Sequence, residues 1–582
     1  VLQSACAEPL ALTPNQTVLV VAKSAPGDEQ DAAKLLQTWL RKASGSATGY
    51  GIENDRSLAE LNGRTAITIG PTPLLPPDPR LAKLEDDGFI IRHKGQVIAI
   101  EGKTNAATYY GAVSFLDRYA GVRFYMPGEL WTSVPANHEV DFDGGDVVSQ
   151  PFVTSASMSG ISTKNLGDAD WLRKIAGNRL KGGTHQHNLG AIFPPEKYAA
   201  KYPEIYPIYN GQRYIPKTAG DQSWQADFTA PETLTAAEES ITNYFKATPG
   251  AAYVAVSIND NTRWSESDAN EKVLAEFKAK DPKGDYKTEA DSDIYWRFMN
   301  QLAAWMKEKF PDKYLVGLAY GVTSDAPSFK LEDNIVAFTV FHIGELSAYD
   351  TAWGGHSAYL GQWLAVASHY GNHDWYEGEG YLFPRIYSGD WSKFMKELAP
   401  RMTFAYMHAE AYPDWGFDGP KLYVMAKLWW DPQVDEKALT RQFCDDMFGP
   451  AAEPMDGYFM ELEALWEQLD RIDGPKRKIG YWGTQFGTTP ASRAIIQRCH
   501  DLLQQAAAAA QTDEQKQRVA LFAKCFTFSE SLFALAEKPK DEALYNHAVE
   551  LATELVKDKW TVYNPAEPME AIKAIYKGTA PK

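Results

Sequence analysis

Two hydrophobic rhythms alternate through the first quarter of the chain. Thr17-Val-Leu-Val-Val-Ala and Thr65-Ala-Ile-Thr-Ile-Gly are short apolar runs that predict strands, and Gly88-Phe-Ile-Ile-Arg with Val97-Ile-Ala-Ile-Glu predicts a hairpin pair. Between them, residues 28–42 set Ala32, Leu35, Leu36, Trp39 and Leu40 on one face of an amphipathic helix, and residues 106–119 predict a second helix. Together these elements make a small α/β domain over residues 9–150, an ordinary size for one folding unit.

After Pro151 the apolar runs become strands that end in polar or aromatic residues. Pro151-Phe-Val-Thr-Ser-Ala-Ser-Met, Val254-Ala-Val-Ser, Tyr314-Leu-Val-Gly-Leu-Ala-Tyr320, Asn334-Ile-Val-Ala-Phe-Thr-Val-Phe-His342 and the run 403–410 all have this form. Helical patterns at 295–310 and around 360–368 separate them, and the stretch 373–379, His-Asp-Trp-Tyr-Glu-Gly-Glu, suits one more strand end. Buried parallel strands alternating with helices predict a central (β/α)₈ TIM barrel over residues 151–431, with its site at the carboxyl face of the strands. Within it, 254–272 reads as a middle strand, the fourth, because its apolar run stops abruptly at Asn259-Asp260-Asn261. Beyond residue 432 the pattern is helical. Residues 455–469 space Met455, Phe459, Leu462, Trp466 and Leu469 at helical intervals, and 491–510, 513–536 and 541–557 predict further helices of a C-terminal α-helical domain over 432–582.

Composition narrows the function. Fifty-eight Lys and Arg against 76 Asp and Glu leave a net charge of -18, which lacks the basic footprint of a nucleic-acid or anionic-membrane partner. No apolar run reaches the roughly 18 residues a membrane span needs. The 17 Trp, 30 Tyr and 26 Phe can supply stacking faces for sugar rings, although large cores use aromatics equally. Cysteines at 6, 444, 499 and 525 show no metal-ligand spacing. Leu2-Gln-Ser-Ala-Cys6-Ala7-Glu8 resembles the end of an export signal, either a lipobox ending at Cys6 or an Ala5-Cys6-Ala7 cleavage site, so an exported protein is expected, in the periplasm, at the cell surface or secreted.

Two resemblances add to this reading. The run from Ile98 through Gly102-Lys-Thr-Asn-Ala-Ala-Thr-Tyr-Tyr-Gly111 to Gly121-Val-Arg-Phe-Tyr-Met-Pro-Gly is similar to the small domain that precedes the barrel in family 20 hexosaminidases and family 67 α-glucuronidases. That likeness implies architecture, since the domain is not catalytic there. From the loop Gly182-Gly-Thr-His185-Gln-His187-Asn188, through Lys201-Tyr-Pro-Glu, Asn210-Gly, Ser257-Ile-Asn-Asp260 and Pro311-Asp-Lys, to Phe404-Ala-Tyr-Met-His408-Ala-Glu410 and Phe443-Cys-Asp-Asp-Met-Phe-Gly449, the chain resembles a family of mostly bacterial exported proteins sharing domain of unknown function 4838. That family commonly carries cysteines after its Asn-Asp pair. Here those positions read Ser265-Glu-Ser267-Asp268-Ala-Asn, so any such cysteine site is missing.

Glycoside hydrolysis uses two carboxyl groups flanking the scissile bond. Asp260, Glu266, Glu345, Asp374, Glu377, Glu379 and Glu410 all fall at predicted strand ends or in the loops that follow. Asp260 leads, directly after an apolar strand and beside Asn259. Glu410 follows, ending an aromatic-rich strand next to His408, which can orient it, and Glu377 comes third in the apolar surround of Trp375 and Tyr376. Trp264, Tyr320, Trp375 and Trp415 are candidate stacking or hydroxyl-binding residues, with His185, His187, Asn188, Asn259, Arg263 and His408 as polar partners. On a strand His185 and His187 would face one side and could share a metal, but no third ligand is identifiable, so hydrogen bonding to sugar is the reading taken and no metal site is assigned. Nothing resembles a phosphate loop, a dinucleotide fingerprint or a nucleophile elbow, and no cofactor is expected.

The expected function is that of an exported glycoside hydrolase, exo-acting, on an oligosaccharide or polysaccharide. Two alternatives stand beside it. In a polysaccharide lyase, His185 or Tyr320 would abstract a proton while Arg179, Lys181 and Arg263 neutralise a uronate carboxylate. A non-catalytic glycan-binding protein would have kept the barrel and lost the acid.

Overall fold

The computed structural model describes residues 10–135, 139–161, 166–344, 356–376, 378, 380–473 and 490–579. Among the sequence candidates, Cys6, Glu345, Glu377 and Glu379 lie outside the described residues.

The first sheet is built from β1 (Thr17–Val21), β2 (Gly51–Asn54), β3 (Thr65–Ile69), β4 (Phe89–Lys94), β5 (Val97–Gly102) and β6 (Val147–Ser149), in the order β6-β4-β5-β3-β1-β2. The alternation of its strands sorts two cores. Leu19, Val21, Ile67, Ile69, Ile98 and Ile100 face the helices Gly27–Ala43 and Asn105–Ala120, whereas Val18, Val20, Ala66, Val97 and Ala99 close on Leu61, Leu74 and Leu75 behind the sheet. The second helix begins where Thr104 Oγ1 accepts the Ala107 N–H and ends at Gly121, whose φ of 64° suits glycine.

The second sheet is parallel throughout. β7 (Val153–Ser159), β8 (Tyr253–Ala255), β9 (Tyr314–Ala319), β10 (Ile335–Val340), β11 (His369–Asp374) and β12 (Ala405–Glu410) run in the order β7-β12-β11-β10-β9-β8. Its outer strands are joined by a segment that is not a strand. Arg179 pairs antiparallel with Ala156 of β7, its N–H donating to Ala156 O at 2.7 Å, and Gly182 pairs parallel with Tyr253 of β8. Only glycine fits there, because a Cβ on Gly182 would lie 2.7 Å from the Tyr253 ring. The sheet is the barrel-like parallel sheet expected from the sequence; among the described residues it has six hydrogen-bonded strands and one bridging segment, and β8 is its third stave rather than its fourth. The stretch 179–182 touches each neighbour through single bridges, too few for a strand.

Helices Pro231–Ala247, Tyr286–Lys309, His356–Val366, Ser388–Leu398 and Lys421–Trp430 follow the staves. The last part of the chain forms helices Glu436–Phe448, Ala452–Asp473, Pro490–Ala509, Asp513–Glu537, Glu542–Leu555 and Glu567–Lys577, the first and the final one without an individual counterpart in the sequence reading. Asp513–Glu537 is long and apolar enough to cross a membrane, but 61% of its most apolar window is buried against the other elements. One continuous core runs from Leu12 through Trp296 and Tyr423 to Phe526, so the three regions share their apolar interior.

A buried carboxylate ties the first region to the ring. Asp87 accepts from Arg179 Nη1 at 3.2 Å and from Lys181 Nζ at 3.0 Å, gripping the closing segment itself. Removing one partner of a buried ion pair leaves the other uncompensated, at a cost of about 3–5 kcal/mol. We therefore expect Asp87→Ala to lower the unfolding free energy by about 3 kcal/mol in urea titration. A change below about 0.5 kcal/mol, the usual range for a surface substitution, would show that the clasp does not hold the ring.

Candidate functional site

At the carboxyl ends of the staves, polar side chains converge from six places in the sequence. β7 brings Ser157 and Ser159, and the loop before β8 brings His185, Gln186 and His187. Asp260 follows β8 and Tyr320 follows β9, while β11 delivers His373 with Trp375 just beyond, and β12 delivers His408 and Glu410. Such strands are buried on both faces along their length, so polar residues can gather only where the strands end.

Asp260 stands exposed at the rim, and its Oδ1 accepts the Tyr320 hydroxyl at 3.2 Å. The Tyr320 phenol is pushed above its usual range by burial first, then by the charges of Asp260 and Glu410, so both carboxylates act on one hydroxyl. The Tyr320 ring lies 5.8 Å from His187 and 6.5 Å from Trp375, and Trp375 lies 5.9 Å from His373. Glu410 is half-buried. His373 Nε2 approaches its Oε1 at 3.4 Å and Gln186 Nε2 donates at 3.4 Å, and these donors hold its carboxyl below the ordinary carboxylate range despite burial.

Beneath Glu410 lies a cluster of three buried histidines. His185 Nε2 faces His373 Nδ1 at 3.4 Å, and the His408 ring centroid lies 4.7 Å from each of the other two. One nitrogen from each ring lies within 4.8 Å of the others, a set that can hold a metal ion. Burial, reinforced by the neighbouring rings, lowers the pKa of His185 well below its usual value and that of His408 to about 3, so both are neutral near pH 7. His408 Nδ1 is hydrogen-bonded to Ser157 Oγ at 2.5 Å.

Several sequence candidates serve other purposes. His187 does not share a side with His185. Its φ of 42° turns the ring away, and Nδ1 bonds Ile258 O at 2.8 Å. Asn188 clips the loop to the end of β8, donating to Ala255 O and accepting from Ser257 N, both at 2.7 Å. Asn259 is fully buried and donates to Trp224 O at 2.8 Å, so it anchors the loop and cannot reach a sugar. Trp264 packs in the core against Phe228, and Trp415 packs between Trp171 and Trp560, so neither presents a stacking face. Arg263 lies over the Tyr209 ring at 3.8 Å, outside the histidine cluster. Asp374 is enclosed and accepts from Trp391 Nε1 at 3.0 Å, and Glu266 accepts the Asn210 N–H at 2.6 Å. With Arg179 and Lys181 spent on Asp87, the lyase reading loses two of its three cations.

The sequence reading missed His373, Gln186 and Gln225. His373 stood two residues before Trp375 at a strand end, which was the available signal. Gln225 had none. Fully buried, it accepts the Asn259 N–H at 3.0 Å and donates to Asn259 O at 2.8 Å and Asn261 O at 3.0 Å, fixing the backbone on both sides of Asp260. Leaving such buried backbone groups unsatisfied costs about 1–3 kcal/mol each. Gln225→Ala should therefore lower stability by about 2 kcal/mol or more in urea titration. A loss under about 0.5 kcal/mol would show that other contacts hold the loop.

A cavity of about 790 Å³ lies elsewhere, between the first sheet and helix Lys421–Trp430, and its Asp117 is bonded to Arg123 at 2.7 Å and Lys427 at 2.8 Å.

The model of the family described as "Domain of unknown function (DUF4838)" matches residues 133–461, more than half of the chain, and the chain belongs to that family. No curated protein matches it. Among solved structures it is similar to a family GH115 4-O-methyl-α-glucuronidase with specificity for decorated arabinogalactans, at 9% identity and a TM-score of 0.59, covering 98% of this chain and 80% of that one. It is also similar to a family 89 glycoside hydrolase from Clostridium perfringens in complex with 2-acetamido-1,2-dideoxynojirimycin, at 9% identity and a TM-score of 0.50, covering 94% and 70% respectively. At such identities the likeness is one of fold alone.

Proposed function

We propose that this chain is a glycoside hydrolase that cleaves a glycan with the carboxylate pair Asp260 and Glu410. One observation carries the reading: Asp260, bonded to the Tyr320 phenol at 3.2 Å, and half-buried Glu410 both stand at the carboxyl end of the ring. Glycosidic cleavage requires two carboxyl groups flanking the scissile bond. Glu410, kept ionised by His373 and Gln186, serves as base or nucleophile. Asp260 serves as proton donor to the leaving oxygen. Trp375, half-buried beside Tyr320, offers the apolar face on which a sugar ring packs. The glycoside hydrolase fold of the structures described above supports the substrate class, and the small domain preceding the barrel favours action at chain ends.

Turnover against a panel of aryl glycosides and natural oligosaccharides tests this. The wild type should release sugar from at least one member. Asp260→Asn and Glu410→Gln should each lower kcat by about 100-fold or more, the scale of a lost acid or base, with the melting temperature unchanged. Full turnover in both variants would overturn the assignment. Formation of an unsaturated product absorbing in the near ultraviolet would favour a lyase, and tight binding without any cleavage would favour a lectin-like role.

A further inference from the structure

The histidine cluster has a geometry that sugar binding does not call for. We propose that His185, His373 and His408 form a binding site for a borderline divalent transition-metal ion, with zinc the ion whose ligand preferences they fit. This inference goes beyond the hydrolase reading and stands without it.

Spacing comes first. Imidazole nitrogens bound at 2.0–2.1 Å to one tetrahedral ion stand about 3.4 Å apart. His185 Nε2 and His373 Nδ1 are separated by 3.4 Å, and one nitrogen from each ring falls within 4.8 Å of the others. A separation of 3.4 Å is long for a hydrogen bond between ring nitrogens, whose usual donor to acceptor distance is about 2.9 Å. Closing the third ring onto a shared ion requires an approach of about 1.4 Å at most, within reach of a side-chain rotation.

The remaining ring nitrogens are placed as outer contacts of a metal site. Ligating histidines characteristically donate their other N–H to a carboxylate, carbonyl or hydroxyl. His408 Nδ1 meets Ser157 Oγ at 2.5 Å, leaving Nε2 for an ion. His373 Nε2 meets Glu410 Oε1 at 3.4 Å, leaving Nδ1. His185 presents Nε2. One nitrogen per ring is thus left for an ion, His408 Nε2 having only a long contact of 3.5 Å to Ser159 Oγ, and the three histidines are 3–7% exposed. Gln186 Nε2 lies 2.8 Å from His373 Nδ1, so its amide must move aside for an ion to enter. Buried neutral imidazoles keep their lone pairs for a cation. Hard cations such as calcium or magnesium need oxygen cages, which this set lacks.

The test uses untagged full-length protein, stripped with a chelator and titrated with cobalt(II) under visible absorption. One equivalent should enter and give a d–d band that zinc abolishes, and X-ray absorption at the cobalt edge should count three imidazole ligands. His373→Gln and His408→Gln should lose the band, while His187→Gln, whose ring is held by the Ile258 carbonyl, should still bind one equivalent. Absence of uptake by the wild type, or fewer than two imidazoles at the bound cobalt, would overturn the proposal even if the histidine variants fail to fold. So would undiminished uptake by both variants.

Discussion

Closure of the parallel ring through residues 179–182 is the constraint on which the site depends. In the hydrogen-bonded order β7-β12-β11-β10-β9-β8, Glu410 ends the second strand and Asp260 follows the last. Laid flat at about 4.8 Å per strand, those positions would stand about 19 Å apart on one edge of a sheet. Bridges from Arg179 to Ala156 and from Gly182 to Tyr253 bend the sheet until its outer strands share a neighbour. Only then can one phenol, that of Tyr320, feel both carboxylates. The segment that accomplishes this has no side-chain pattern of a strand. It is fixed instead by a glycine that admits the Tyr253 ring and by two cations seated on Asp87 of the preceding region.

The same closure explains the layering of the mouth. Exposed Asp260 and half-buried Tyr320 and Trp375 form its upper level, and Glu410 sits between them and a floor of neutral histidines. Burying an uncharged imidazole costs far less than burying a charge, so a ring of strands can accommodate three histidines in contact where three lysines would unfold it. Gln225, Asn188 and Asn259 take no part in that chemistry but spend their amides on the backbone that presents it.

How much of this was legible in the sequence follows from distance along the chain. Short apolar runs in β1, β3 and β5 and the helical faces at 28–42 and 455–469 are local signals, and the structure has elements at each. The position of Asp260 just past an apolar run and of Glu410 at the end of another is also local, and it suffices to place them at one end of the strands. The histidine cluster is not local: its members are 188 and 35 residues apart in sequence, and the pair that spacing suggested, His185 and His187, is split by a left-handed turn at His187. Tryptophans fail for another reason. Trp264, Trp375 and Trp415 all follow polar strand ends, and only packing tells the two buried in the core from the one beside Tyr320.

The convergence of Asp260 and Glu410 on a single bound sugar is the central claim, and covalent labelling tests it most directly. An epoxide-bearing analogue of whichever sugar the protein releases would esterify a carboxylate poised at the anomeric centre, and peptide mass spectrometry would locate the ester. The structure predicts one label per chain, on Glu410 or Asp260, formed in step with loss of turnover and blocked by product. Complete inactivation with the label on a carboxylate outside this cleft would contradict it.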